Sequence, residues 1–462
     1  MTQPLHIMLW GLVALCAVTT VLVVSKRREK VPAGIQEPRW NRIPDSLIIL
    51  ICFAGIFLFP MHIRVPLLRP GMRSLAYINF PGLIAVLLTF FRVRRWTWVE
   101  FLCFVLWLLL LIPLAISNRE IKEDKTLSVI TQSLLPLFLL LYRMEPENCK
   151  KATGLFIILF DAFIAVLLIC AVTEHFSDHN LLRWVCERME EAGAEPKELY
   201  RYLQDHRFSS IWGHPLTNAL FFNVFFAINV AWFRASRKKC PVPLFFIPAL
   251  LGVLMCSSKT GITVCFLILI AASWKYKKWL LLCIPVLVAL YFMGAFDAII
   301  ARFNEQSLTT GRAENLAEYF ASGINPLRFF SGYGDGSILS SSSPVNHVND
   351  AFEFPVMMYS YYYGILFSLL HIGGAFAYVT WRLLRKRKWL TWFCYLFVFA
   401  EINTYNAYAL RSQDVCLFVC FLTLIFLNLP EGNSVSTCQN PKITAENVSA
   451  ADREATTKQK QL

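Results

Sequence analysis

The sequence predicts an all-α, polytopic integral membrane bundle, about 12–13 transmembrane helices with two extracytoplasmic loops. Three observations lead there. Of the 462 residues, 56% are hydrophobic, and the mean hydropathy is +0.50. Apolar runs recur along almost the whole chain, and a run of about 20 apolar residues is what spans a bilayer as a helix. Lys and Arg also alternate between the short connections: one set carries 24 and the opposite set 8. Because basic residues accumulate on cytoplasmic loops, this asymmetry places the N-terminus and both long loops outside the cytoplasm.

Residues 1–173 read as a transmembrane scaffold, with apolar runs centred on 6–24, 46–60, 74–91, 97–117, 127–142 and 153–173. The first run has no basic residue before it and no cleavage pattern, so it is expected to be retained rather than removed as a signal. Asp161 interrupts the run Leu155–Val172. An acid at that depth either faces a cavity or is hydrogen-bonded within the packing.

Residues 174–213 form the first extracytoplasmic loop. Leu181, Leu182, Val185 and Met189 recur at helical spacing, as do Leu199, Tyr202 and Leu203 after Pro196. Two short amphipathic helices follow from this pattern, lying on the membrane surface or packed on the bundle. Arg207 closes the loop just before Gly213-His214-Pro215. On its own a border arginine snorkels to lipid phosphates, and His214 caps or packs at the helix start.

The central transmembrane part, 214–294, carries runs at 214–233, 242–257, 261–274 and 279–294. A tight turn joins its second and third runs at Lys259-Thr260-Gly261, where small hydroxyl residues allow close helix approach.

The polar stretch 295–352 is the large extracytoplasmic loop. Arg312–Ser322 reads as a helix with Leu316, Tyr319 and Phe320 on one face, Thr310 as N-cap and Gly323 as its stop. A cation at a helix start opposes the dipole by about 0.3–1 kcal/mol. Arg312 is therefore poorly placed for stability and well placed to join free backbone N–H groups around an anion. An ion pair with Glu305 or Glu314 is the alternative. Gly332, Gly334 and Gly336 let backbone approach a ligand closely. His347 stands in a polar segment two residues before Asn349. It suits a general base working near neutral pH, or is a surface histidine without a role.

Residues 353–428 supply the last transmembrane part, with runs at 353–381, 389–410 and 413–428. Tyr359, Tyr361, Tyr362 and Tyr363 are expected to form an interfacial aromatic belt. Glu401, Asn403, Asn406 and Arg411 make the end of the second run polar on the outer side, where they are expected to line the same cavity. Residues 429–462 read as a disordered cytoplasmic tail.

Net charge of +13 reports topology and contact with anionic lipid heads. Nucleic acid is excluded as a partner, since no basic stripe with interleaved aromatics lies on a soluble domain. The fourteen cysteines fall mostly in apolar runs, so no disulfide framework or cysteine metal site is expected.

The order of these pieces resembles the O-antigen ligase/polymerase family, bacterial membrane transferases that include O-antigen ligase, O-antigen polymerase and protein O-oligosaccharyltransferase. The resemblance spans roughly residues 200–380. It rests on Thr309-Thr310-Gly311-Arg312, Gly332-Tyr333-Gly334, His347-Val348-Asn349 and Tyr363-Gly364. Arg207 before Gly213-His214-Pro215, and Ser257-Ser258-Lys259-Thr260-Gly261, match its other landmarks.

What the resemblance implies is transfer of an oligo- or polysaccharide from polyprenyl pyrophosphate to an acceptor hydroxyl, on the periplasmic side of the bacterial inner membrane. His347 would be the general base, with Arg312 and Arg207 holding the departing pyrophosphate. Gly332, Gly334, Asn349, Lys259 and His214 would bind substrate. Lys259 stands where the family pattern favours arginine. No cofactor and no catalytic metal are expected. The acceptor is lipid A-core for a ligase, a growing glycan for a polymerase and a protein hydroxyl for an oligosaccharyltransferase. A transporter or lipid flippase is the reading of another class, and it predicts internal repeats with matched broken helices.

Overall fold

The structure is a computed structural model that describes residues 44–67, 78–91, 97–117, 129–144, 146–177, 180–191, 197–204, 207–274, 277–292, 294, 296–297, 300, 304, 312–323, 326–334, 354–405, 408–409 and 414–430. The run predicted at 6–24 and the tail beyond residue 430 lie outside them, as do His347, Asn349, Thr310, Asn406 and Arg411. Among the described residues the chain is helical, with no strand.

In chain order the helices are α1 (Asp45–Leu58), α2 (Met61–Leu67), α3 (Phe80–Phe91), α4 (Trp98–Ser117), α5 (Ile130–Leu141), α6 (Pro146–Phe176), α7 (Asn180–Glu191), α8 (Lys197–Gln204) and α9 (Pro215–Ala235). There follow α10 (Val242–Met255), α11 (Lys259–Ser273), α12 (Lys277–Phe292), α13 (Arg312–Ser322), α14 (Pro355–Tyr363), α15 (Ile365–Arg385), α16 (Trp389–Ile402) and α17 (Val415–Leu427). Every apolar run predicted from 46–60 onward coincides with one of them or, for 353–381, with two. Four helices among the described residues, α4, α6, α9 and α15, are long and apolar enough to cross a membrane by length and composition. Eight more apolar helices are shorter. The chain is a multi-pass membrane protein.

Hydropathy alone does not decide which helix is central. The most apolar window of α4 has mean hydropathy 2.7 yet is only 28% buried, whereas that of α9 has 1.5 and is 83% buried. Apolar side chains of α4 such as Leu108, Ile112 and Ile116 point outward, as do Ile158 and Ile169 of α6. Such faces suit acyl chains. By contrast α9 carries three buried asparagines, Asn218, Asn223 and Asn229, which lipid cannot satisfy, so the helix is drawn inside. It packs against α10, α11, α16 and α6. Beside it, Phe57 of α1 meets Phe163, Phe160, Phe221 and Phe418, with ring centroids 4.7–5.6 Å apart. Those contacts join α1, α6, α9 and α17 in one core.

The two amphipathic helices predicted in 174–213 are α7 and α8. Their apolar faces close on each other through Leu182, Val185, Cys186, Met189 and Leu199. Glu174, at the end of α6, accepts from the Leu182 N–H at 3.3 Å and ties the pair to the bundle.

One predicted helix is broken. The run 353–381 was expected to be continuous, but it divides at Gly364, whose φ is +100°. Residues 326–334 fill the break with backbone hydrogen bonds. Ile365 N and Leu366 N, at the start of α15, donate to Arg328 O and Phe329 O, each at 3.0 Å. Tyr333 N and Gly334 N donate to Tyr361 O and Tyr362 O, each at 2.9 Å, where α14 ends. A helix end leaves donors or acceptors that must find partners inside a bilayer. Here a loop supplies both sets.

Candidate functional site

Arg207 is nine-tenths buried. Its Nε donates to Cys256 O at 3.2 Å, and the next residue, Phe208, donates its N–H to Met255 O at 3.1 Å. The guanidinium also lies 5.7 Å from the Tyr202 ring centroid. These contacts clasp the turn between α10 and α11. That turn falls at Cys256–Ser258 rather than at Lys259–Gly261, because Ser257 takes a left-handed conformation (φ 50°) and Ser258 caps α11. Ser258 Oγ accepts from Gly261 N at 3.0 Å. Lys259 is thereby the first residue of α11, next to the segment that holds Arg207.

His214 caps α9. Its Nδ1 accepts from Leu216 N at 3.2 Å, a bond that requires a lone pair on that nitrogen. Its ring stacks on Tyr405, with centroids 5.6 Å apart and planes 12° apart, and meets Tyr202 edge-on at 5.5 Å. Arg207, Tyr202, His214 and Tyr405 thus form one basic and aromatic group. Lys259 follows the turn that Arg207 clasps, as the first residue of α11.

Arg312 is the first residue of α13, as the sequence predicts, with Gly323 at φ +60° just past its end. Arg312 starts the helix about 10 Å along the axis from Tyr319. Tyr319 is buried and packs edge-on against Tyr361 at 5.4 Å, so α13 is anchored to α14. Phe320 is half-exposed.

Gly332 and Gly334 make their close approach to the chain itself. A Cβ on Gly332 would stand 2.2 Å from Tyr362 C and 2.3 Å from Tyr361 O. Its N–H donates to Ser117 Oγ at 2.8 Å. Between the glycines Tyr333 is fixed by Arg328, 4.2 Å over its ring, and by its hydroxyl donating to Pro326 O at 2.8 Å.

The expected tyrosine belt is not an interfacial one. Tyr359, Tyr361, Tyr362 and Tyr363 are each 3% exposed or less. Their rings fill the space around the helix break, where acyl chains and headgroups have no access. Tyr359 reaches Tyr408 at 6.4 Å, three residues beyond the Tyr405 that stacks on His214. The segment after α16 thus touches both His214, through Tyr405, and the tyrosines of α14, through Tyr408.

The polar end of the 389–410 run is only partly where it was expected. Glu401 is buried and accepts from Asn223 Nδ2, while Asn403 bonds back to Phe399 O. Asp161 accepts from Asn229 at 2.8 Å, the hydrogen-bonded alternative of its two readings. Sequence reasoning missed Asn223, Tyr405 and Ser117. An asparagine inside an apolar run was a usable signal for the first; nothing local marks the other two. Comparison with known protein families, with characterised proteins and with solved structures finds no match for this chain.

Proposed function

We propose that the chain is an O-antigen ligase-like glycosyltransferase, moving an oligo- or polysaccharide from polyprenyl pyrophosphate to an acceptor hydroxyl. Lipid A-core is the favoured acceptor; a growing glycan or a protein hydroxyl would make it a polymerase or a protein O-oligosaccharyltransferase. The site faces the periplasm from the bacterial inner membrane, in the orientation the basic residues favour.

One observation carries the reading. A nearly buried arginine and a capping histidine, Arg207 and His214, share Tyr202 as a neighbour, the turn Arg207 clasps leads into α11 at Lys259, and the Arg312 helix is anchored to α14 through Tyr319 and Tyr361. A pyrophosphate requires such fixed cationic and N–H groups. In the proposed step His347 takes the acceptor hydroxyl's proton as its oxygen attacks the anomeric carbon. The bond from that carbon to the pyrophosphate oxygen breaks, and the electron pair leaves with the lipid pyrophosphate. Arg207 and Arg312 stabilise the developing charge.

The test compares donor binding and turnover in two variants. Arg312→Lys keeps the charge but loses the planar fork, and most activity should go with it. His347→Ala should lose a factor of roughly 10²–10⁴ in turnover with donor binding nearly intact. Normal turnover in folded His347→Ala would remove the base from this mechanism. A transporter or flippase is favoured by one observation: α9 holds two intramembrane carboxylates, Asp161 and Glu401, through asparagines. Substrate movement without glycan transfer, in the same reconstituted protein, would decide for it.

A further inference from the structure

Phe329 and Phe330 stand side by side in the segment 326–334. Phe330 is 69% exposed and Phe329 49%, and their rings meet edge-on with centroids 4.8 Å apart. Adjacent exposed phenylalanines forfeit burial that folding would otherwise gain, so such a patch marks a surface with a partner. Arg328, the residue before them, is exposed as well, with its guanidinium 4.2 Å over the Tyr333 ring.

The backbone of the same segment turns the other way. Arg328 O and Phe329 O accept from Ile365 N and Leu366 N, while Tyr333 N and Gly334 N donate to Tyr361 O and Tyr362 O. Gly332 N donates to Ser117 Oγ. Non-helical backbone is tolerated at a membrane only where protein satisfies it in this manner. These partners also fix the height of the segment. Ser117 ends α4 and Ile365 begins α15, two of the helices long and apolar enough to span a membrane. The 21 residues of α15 extend about 31 Å at 1.5 Å each, close to the thickness of the hydrocarbon core. Its first turn therefore lies at the membrane rim. Ile116, one residue before Ser117, and Leu369, one turn into α15, are both more than half exposed. The lipid-facing surface thus reaches the level of the segment on both helices.

We propose that residues 326–334 form an interfacial membrane anchor. Phe329 and Phe330 enter the upper acyl chains at that rim, and Arg328 reaches the lipid phosphates above them. A long basic side chain beside an aromatic ring suits the headgroup level. Phe320 extends the same surface. It is 46% exposed on α13, and its ring lies 6.3 Å from that of Tyr361, whose carbonyl holds Tyr333. The partner is lipid, because the segment offers two apolar rings and one cation and turns its bonded backbone groups inward. A stretch that reads from sequence as part of an aqueous loop is thereby assigned to the bilayer surface.

This inference does not depend on the transfer reading, and its readout is contact with lipid rather than catalysis. Full-length wild-type protein is placed in nanodiscs containing a phospholipid with a diazirine in its upper acyl chain. After irradiation, adducts are mapped by peptide mass spectrometry. They are expected on Phe329 or Phe330 at a level similar to Ile116 and Leu369. Adducts on Ile116 and Leu369 with none at 329–330 would overturn the anchor, by giving the rings to water or to protein. A second measurement uses charge. A carboxylate among acyl chains is costly, so Phe330→Glu should melt several degrees below Phe330→Leu in nanodiscs. Equal melting of the two, the outcome for a ring that faces water, overturns the anchor as well. Should Phe330→Glu fail to fold, the wild-type adduct map still decides.

Discussion

Replacing Gly332 by alanine tests how the large loop is held. The added Cβ would lie 2.2–2.3 Å from the Tyr362 carbonyl carbon and the Tyr361 and Tyr362 carbonyl oxygens. All three are backbone atoms, and both residues are buried, so no flexible side chain can yield. The segment must lift. Lifting it puts three hydrogen bonds at risk: Gly332 N to Ser117 Oγ, Tyr333 N to Tyr361 O and Gly334 N to Tyr362 O. At about 1 kcal/mol net each, losing all three costs about 3 kcal/mol, the upper end for an overpacked site. The last carbonyls of α14 would also be left without partners.

Gly323 serves as the control. Nothing lies within 4 Å of its added Cβ, although its φ is +60°, so Gly323→Ala should cost about 1–2 kcal/mol through backbone conformation alone. The assay is thermal melting in nanodiscs together with limited proteolysis between residues 326 and 334. Gly332→Ala should melt lower than Gly323→Ala and be cut faster in that segment. Wild-type melting and proteolysis for Gly332→Ala would refute the docked loop, and with it the account of how α14 ends.

Two further outcomes follow from named contacts. Arg64 NH1 and Asp414 Oδ2 form a buried ion pair at 2.7 Å between α2 and the start of α17. Arg64→Ala should destabilise by about 3–5 kcal/mol, and Arg64→Met with Asp414→Leu should cost less than the single change; additive losses in thermal melts would contradict this. For orientation, reporter fusions at Lys277 and Arg385 should read cytoplasmic and those at Glu190 and Ser340 external. A cytoplasmic signal from either outer fusion would separate Arg207 and Arg312 onto opposite faces and end the proposed mechanism.

Much of the helix map was legible in the sequence because water decides it. Apolar runs of sufficient length must leave water, and a helix satisfies their backbone within the run. The same local logic located α7, α8 and the Arg312–Ser322 helix, through their periodicity and the glycine at φ +60° past the end of α13. The arrangement of the helices was not legible. In a bilayer an apolar side chain is served about equally by an acyl tail or by another helix, so hydropathy does not say which face turns inward. Polar atoms say so, and their partners lie far away in the chain. Asn223 meets Glu401 across 178 positions, and Gly332 meets Ser117 across 215. The break at Gly364 has the same origin. A run rich in tyrosine and leucine reads as one helix until a loop segment arrives to satisfy both of its ends. The sequence by itself determined which segments leave water and become helical. Only the tertiary structure decided which polar groups meet inside, because in lipid those groups are satisfied by distant segments of the same chain.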